Sequence, residues 1–340
     1  MNSKWRILVC IAAMAALGVL ASRCENRKIK PMDTTGWKTH CIGRFLVDLP
    51  PNAKVGGIYQ IWGNPIERAS VPASSITQII GKREEELKAS PHDTRGTKFI
   101  RREDYPSGGA SLLSYDMAES EDFLHIDTYM VAMNGKHVFL RSALVEPEKE
   151  RTAFDFARQM NDGLQEIATG EIPKGPGFCI DRALIAGDEF RSEVFNVGVT
   201  LPQHPGMNIT LLATTQGEVD KETLLDRTGA TEVALLAQGA KRLRKGKRAA
   251  GGGTIPGEEY LMTSTEDGQK KYGFAWESPG KAESVAEPYM TVELQVLGQS
   301  VVDEDHPYKP PFASDDEALE LWDAIIESLR PRPGAAIRRQ

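Results

Sequence analysis

The chain has 340 residues, 40% hydrophobic and 26% charged, a composition typical of soluble globular protein and a length better suited to two cores than one. Its net charge of −7 excludes a whole-chain nucleic-acid binder, which needs basic excess to displace counterions from phosphate. A partner recognised through charge would be basic.

Lys4 and Arg6 precede an apolar run over 7–20, and Val19-Leu20-Ala21 stands before Ser22. This is the layout of an export signal, with residues 1–21 the signal, 22–35 a polar leader and the periplasm as destination. An uncleaved anchor is the competing reading, but the run is shorter than the roughly 20 residues a span requires. A lipoprotein would use Cys24, where Arg23 replaces the small residue that lipidation favours. Arg23, Arg27, Lys28 and Lys30 put positive charge beyond the run, against the usual retention bias. Removing Lys4 and Arg6 with the signal makes the mature chain more acidic still. Cys10 leaves with the signal and Cys24 lies in the leader, so only Cys41 and Cys179 belong to folded segments. In an oxidising compartment they either pair or serve as small core residues near strand starts.

In the first half, 41–49 reads as a strand closed by Pro50-Pro51, and 75–88 has helical periodicity. Three further strand-like stretches occupy 96–145. Residues 123–131 alternate as a half-buried strand does, and Asn134-Gly135 turns the chain into Val138-Phe139-Leu140. Pro147 opens a helix to about 168, with Phe154, Ala157, Met160, Leu164 and Ile167 on one face. Pro173-Lys174-Gly175-Pro176-Gly177 then interrupts the pattern as a linker.

The second half restarts with an apolar strand at 178–185, again containing a cysteine. Strands follow at 193–201 and 207–213, a helix at about 221–239, and strands at about 258–264, 270–277 and 288–297. Ser314 and Glu317 have capping-box spacing for a last helix to about 329, whose apolar face carries Leu319, Leu321, Trp322, Ile325, Ile326 and Leu329. Both halves read as strands, helix, three strands, helix. The expected fold is α+β: two similar domains over 36–172 and 173–340, each an antiparallel sheet covered by helices.

The chain contains no Gly-x-Ser-x-Gly elbow, His-Glu-x-x-His pair, phosphate loop or Cys-x-x-Cys. His40, His92, His125, His137, His204 and His306 show no ligand spacing; His125 and His137 flank one hairpin and form only a weak metal candidate. No catalytic residue, metal or cofactor is expected. The run from Lys241 through Arg242, Arg244, Lys245, Lys247 and Arg248 suits either an anionic surface or a solvated edge strand, and Gly251-Gly252-Gly253 a flexible loop. Glu119, Glu121 and Asp122, with Asp303, Glu304 and Asp305, are candidate acidic docking residues or ordinary solvated turns.

Thr39-His40-Cys41-Ile42-Gly43-Arg44-Phe45-Leu46-Val47-Asp48-Leu49-Pro50 resembles a family of immunity proteins directed against type VI secretion lipase effectors. So do Gly177-Phe178-Cys179-Ile180-Asp181 and the passage from Arg244-Lys245-Gly246-Lys247-Arg248 into Gly257-Glu258-Glu259-Tyr260-Leu261. The likeness covers about 36–330, and the nearest class is the one paired with the fourth lipase group. It implies a periplasmic two-domain claw that grips its phospholipase between its halves and acts by stoichiometric occlusion. It brings no catalytic residue, nucleic acid or small-molecule substrate, and membrane association only through an uncleaved N-terminal segment. The readings outside this family are an envelope-associated binding protein and a periplasmic hydrolase.

Overall fold

Turn chemistry breaks both opening strands into hairpins. The computed structural model describes residues 30–168, 170–187 and 192–336; the expected signal, Cys10 and Cys24 lie outside them. β1 (Lys38–Ile42) turns at Gly43-Arg44 into β2 (Phe45–Leu49), and Gly43 holds φ +58 with no room for a Cβ against the Phe195 ring. β3 (Lys54–Ile61), β4 (Asn64–Pro72), α1 (Ile76–Ala89), β5 (Phe99–Asp104), β6 (Ala110–Tyr115), β7 (Leu124–Val131) and β8 (His137–Val145) follow. The first half closes with α2 (Glu150–Asp162) and β9 (Leu164–Glu166). The second half opens on a hairpin of β10 (Gly177–Ile180) and β11 (Ala183–Ala186), then β12 (Glu193–Thr200), β13 (Met207–Thr214) and α3 (Leu224–Ala237). It ends with β14 (Lys241–Lys247), β15 (Glu258–Glu266), β16 (Gln269–Ser278), β17 (Tyr289–Val296), α4 (Asp315–Ser328) and β18 (Arg330–Pro331).

Four expectations change. The first half has four strands after α1, and β3 and β4 precede it unannounced. Their paired glycines and prolines argue against strands, but cross-strand pairing overrides propensity. Helix α2 stops at Asp162, so Leu164 leaves the helical face for β9 and Ile167 follows it, its amide donating to the Arg182 carbonyl (2.8 Å). At α4, Ser314 Oγ accepts from the Glu317 amide (3.2 Å), but the Glu317 carboxylate accepts from Ala313 rather than closing the expected box.

Each half is an antiparallel sheet with helices, and the halves repeat one strand order: β3-β4-β8-β7-β6-β5 matches β12-β13-β17-β16-β15-β14. The two sheets are joined. β3 and β12 pair antiparallel over eight positions, from Glu193 opposite Ile61 to Thr200 opposite Lys54, making one twelve-stranded sheet about a pseudo-twofold axis. Gly57 lies where a Cβ would strike the Asn196 carbonyl, so only glycine allows this approach. The halves also exchange ends: β9 pairs with β11 of the second half, and β18 pairs with β2 of the first.

Those exchanges build a seam on the inner face of the sheet. Cys41 and Cys179 are joined by a disulfide across 138 residues, and Gly43 and Cys179 trade backbone hydrogen bonds beside it (2.9 and 2.8 Å). Arg44, at 3% exposure, makes a two-point ion pair with buried Glu193: Nε to Oε2 at 2.8 Å and Nη2 to Oε1 at 2.5 Å. Arg332 donates to the carbonyls of Pro173, Gly175 and Gly177 (2.7–2.9 Å). The expected linker over 173–177 is therefore pinned, because three of its carbonyls are held by one buried guanidinium. One core runs through both halves, with Tyr59 against Phe178 and Phe45 against Phe195.

Two measurements test the seam. Reducing or replacing Cys41 and Cys179 should lower unfolding free energy by about 2–5 kcal/mol in denaturant titrations. Glu193→Ala, which strands a buried guanidinium, should cost about 3–5 kcal/mol, more than exchanging Arg44 and Glu193 together for apolar residues.

Candidate partner-binding surface

The faces of the long sheet are covered unequally. Consecutive residues point to opposite sides of a strand, and Leu112 packs with Ile76 and Ile80 of α1 while Leu113 packs with Phe154 and Ala157 of α2. At the other end, Glu258 accepts from the Leu225 amide of α3 (3.1 Å), and Glu259 accepts from Trp322 Nε1 of α4 (3.1 Å). Helices α2 and α4 and both hairpins therefore share the inner face; α1 and α3 stand at the two ends of the outer face.

Between α1 and α3, the outer face of β4, β3, β12, β13 and β17 has nothing upon it among the described residues. Ile58, 56% exposed, lies opposite Asn196, which lies opposite Leu212, and Leu212 opposite Thr291. Val194 pairs with Gln60 in the next row. The floor is mixed polar and apolar, close to the make-up of protein interfaces, and the walls are helices.

The α1 wall is fastened by a charged network. Arg83 Nε donates to Asp127 Oδ2 (2.9 Å), Ser142 Oγ to Asp127 Oδ1 (2.6 Å), and His125 Nε2 lies 3.0 Å from Oδ1. Burial alone would raise the Asp127 carboxyl, but hydrogen bonds from His125, Ser142 and Arg83 outweigh it and hold its pKa at about 2. The Asp127 bond raises His125 against opposing burial. Serine, histidine and aspartate are the residue types of hydrolytic triads, yet Ser142 gives its proton to the carboxylate rather than to an imidazole, which does not activate it.

The other histidines are taken up separately. His92 stacks on Tyr115 (4.2 Å), His204 lies 2.7 Å from the Pro311 carbonyl, His137 3.1 Å from Glu166 and His306 2.9 Å from Asp303, while burial lowers half-buried His40. His125 lies opposite Leu144 and His137 near the far end of the ladder, about 20 Å away, so the hairpin separates them. No cluster of three metal-binding side chains occurs among the described residues.

The basic run forms edge strand β14, and most of its charges are paired with carboxylates. Arg242 and Lys245 pair with Glu232 (2.8 and 2.9 Å), Arg244 with Glu259 (2.5 Å) and Asp323, and Arg248 with Glu327 (2.9 Å). The glycines at 251–253 make a single 3-10 turn against α4. Glu119 and Asp122 are exposed in the β6–β7 loop, while Glu121 is engaged by Arg95 (2.6 Å), which holds its carboxyl at about 2. Asp303, Glu304 and Asp305 are exposed after β17, and Asp303 accepts from the His306 amide (2.7 Å). The antiparallel ladders put these acidic groups at opposite ends of the strands, one in each half. Composition signals charge but not this placement, and the open sheet face has no local signal beyond alternation.

The N-terminal domain family of Tle cognate immunity protein 4 matches residues 38–171, and the corresponding C-terminal domain family matches 171–334. No curated protein matches. Among solved structures, the apo immunity protein TplEi of the type VI secretion system (T6SS) from Pseudomonas aeruginosa is 39% identical, with TM-score 0.81, 88% of this chain and 99% of that chain covered. A crystal structure of a Tle4-Tli4 complex has 39% identity, TM-score 0.81, and 89% and 99% coverage. TplEi complexed with an "L" peptide has 39% identity, TM-score 0.77, and 88% and 100% coverage.

The His125 network yields a pH signature. A histidine whose folded pKa is raised adds stability that is complete below its unfolded pKa of about 6.5 and is lost as pH rises through the folded value. Wild type should lose stability relative to His125→Gln across that interval, as read by chemical denaturation at stepped pH; parallel curves would exclude the coupling.

Proposed function

The chain belongs to the Tle cognate immunity protein 4 family: it is an immunity protein that binds a type VI secretion phospholipase effector, and we propose that it does so by occlusion, in the periplasm, without catalysis of its own. One observation carries the mode of binding: among the described residues, nothing lies on the outer face of the five central strands. An effector segment lying there would touch both halves at once, between the α1 and α3 walls.

The claw in this reading is preformed. A jaw closing on a flexible linker would gain by making its second contact intramolecular. Here the disulfide, the Arg44–Glu193 pair and the Arg332 clamp support lobes already set in place. Association then avoids ordering the receptor, a saving that appears in affinity. Glu119, Glu121 and Asp122 at one end, with Asp303, Glu304 and Asp305 at the other, would steer a basic partner and act mainly on association rate. The N-terminal apolar run supports export, and the hydroxyl bound to a carboxylate rather than to an imidazole favours inhibition over hydrolysis.

The purified chain should form a one-to-one complex with the lipase encoded beside it, abolish that lipase's activity at equimolar ratio, and show no turnover on ester or phospholipid substrates. Ile58→Glu and Asn196→Arg, on the bare floor, should weaken the complex by about tenfold or more while leaving the melting temperature unchanged. Full inhibition by both variants would move the contact elsewhere; undiminished lipase activity with wild type would end the reading.

A further inference from the structure

A separate cleft opens on the inner side of the first half, between α2, β8 and the β3–β4 turn, away from the bare outer face. Its volume is about 700 Å³, within the range of small-molecule sites. The lining is chiefly apolar: Ile126, Ala143 and Val145 from the sheet, Phe156 from α2. Trp62 and Phe123 line it too and are 48% and 45% exposed, two large apolar side chains left in water at one place.

The cleft holds one buried cation. Arg141 is 6% exposed, and no carboxylate pairs with it among the described residues. Its Nη2 reaches the Ile61 carbonyl at a long 3.4 Å, its guanidinium lies 5.2 Å from the Phe156 ring centroid, and its Nε is buried with no hydrogen-bond partner. Burial lowers its pKa only to about 10, so it stays charged at neutral pH. Arg44 and Arg332 are as deeply buried: a carboxylate makes a two-point contact with Arg44, and three carbonyls take the Nη atoms of Arg332, whose Nε is likewise without a partner. An unpaired buried charge is costly, and a carboxylate offered to Nε and its neighbouring Nη would make the strong two-point hydrogen bond the site lacks.

We propose that this cleft binds a fatty-acid-like monocarboxylate, its head on Arg141 and its chain along Phe156, Ala143 and the exposed Trp62 and Phe123. A single guanidinium, without a second free cation or a cradle of backbone amides, suits a carboxylate better than a phosphate: Lys149, on the rim, is already paired with Glu146.

The test is isothermal titration of the full chain with dodecanoate, dodecanol and dodecyltrimethylammonium, each below its micelle-forming concentration. Dodecanoate should bind saturably at one site, and the cationic amphiphile about tenfold more weakly or worse. Arg141→Met should weaken dodecanoate by about tenfold while leaving dodecanol unchanged. If that variant does not fold, as judged by its melting curve, the preference of wild type for anion over cation still decides. Equal binding of both charges, no saturable dodecanoate binding, or an unaltered dodecanoate affinity in a folded Arg141→Met protein would each overturn the assignment.

Discussion

The antiparallel pairing of β3 with β12 is the constraint on which the rest of the molecule depends. Each half ends its own sheet on one of these strands, and a sheet edge carries a row of free amides and carbonyls that invites aggregation. Joining the two edges satisfies both rows, places the pseudo-twofold axis between them and sets the distance between α1 and α3. Gly57 is the local condition for that join, since any side chain there would push into the Asn196 backbone. The exchanged strands β9 and β18, the disulfide and the Arg44–Glu193 pair then lock the arrangement from the inner face, where ring contacts such as Tyr59 with Phe178 extend the core across the join.

The same symmetry leaves the middle of one face uncovered among the described residues. A pseudo-twofold axis perpendicular to the sheet keeps equivalent elements on the same side, so both hairpins, α2 and α4 fall inside and α1 and α3 fall outside at the two extremes. Nothing in the repeat supplies an element for the middle of the outer face. A binding protein built this way obtains a surface shared by two related halves, held rigid by contacts on its opposite side.

Buried guanidinium groups show three solutions to one cost. Arg44 has a carboxylate in two-point contact, Arg332 has three peptide carbonyls, and Arg141 has an aromatic face and one long hydrogen bond. The first two hold the seam and the linker together. The third stands beside an open cleft, which makes it chemically different rather than a weaker copy of the others. By contrast, the exposed-looking basic run is consumed by intramolecular pairs with α3 and α4, leaving edge strand β14 bristling with charge yet largely neutralised.

Much of this was legible in the chain itself. Alternation located β7, β12, β13 and β15 to β17, helical periodicity located α1 and α4, and the recurrence of strands, helix, three strands, helix revealed two related halves, because each of these signals is local. The family words around Cys41 and Cys179 pointed to an immunity protein where no catalytic spacing could. Tertiary structure alone decided that 41–49 and 178–185 are hairpins, that glycine- and proline-bearing β3 and β4 are strands, and that α2 stops to release β9. It also decided that the linker is pinned, that the acidic stretches lie apart, and that Arg141 faces a cleft. Those features rest on contacts between residues far apart in sequence, such as Asn196 with Gly57 or Arg332 with Gly175, and a pattern read over ten or fifteen residues carries no record of which distant partner will satisfy a strand edge, a carbonyl or a charge.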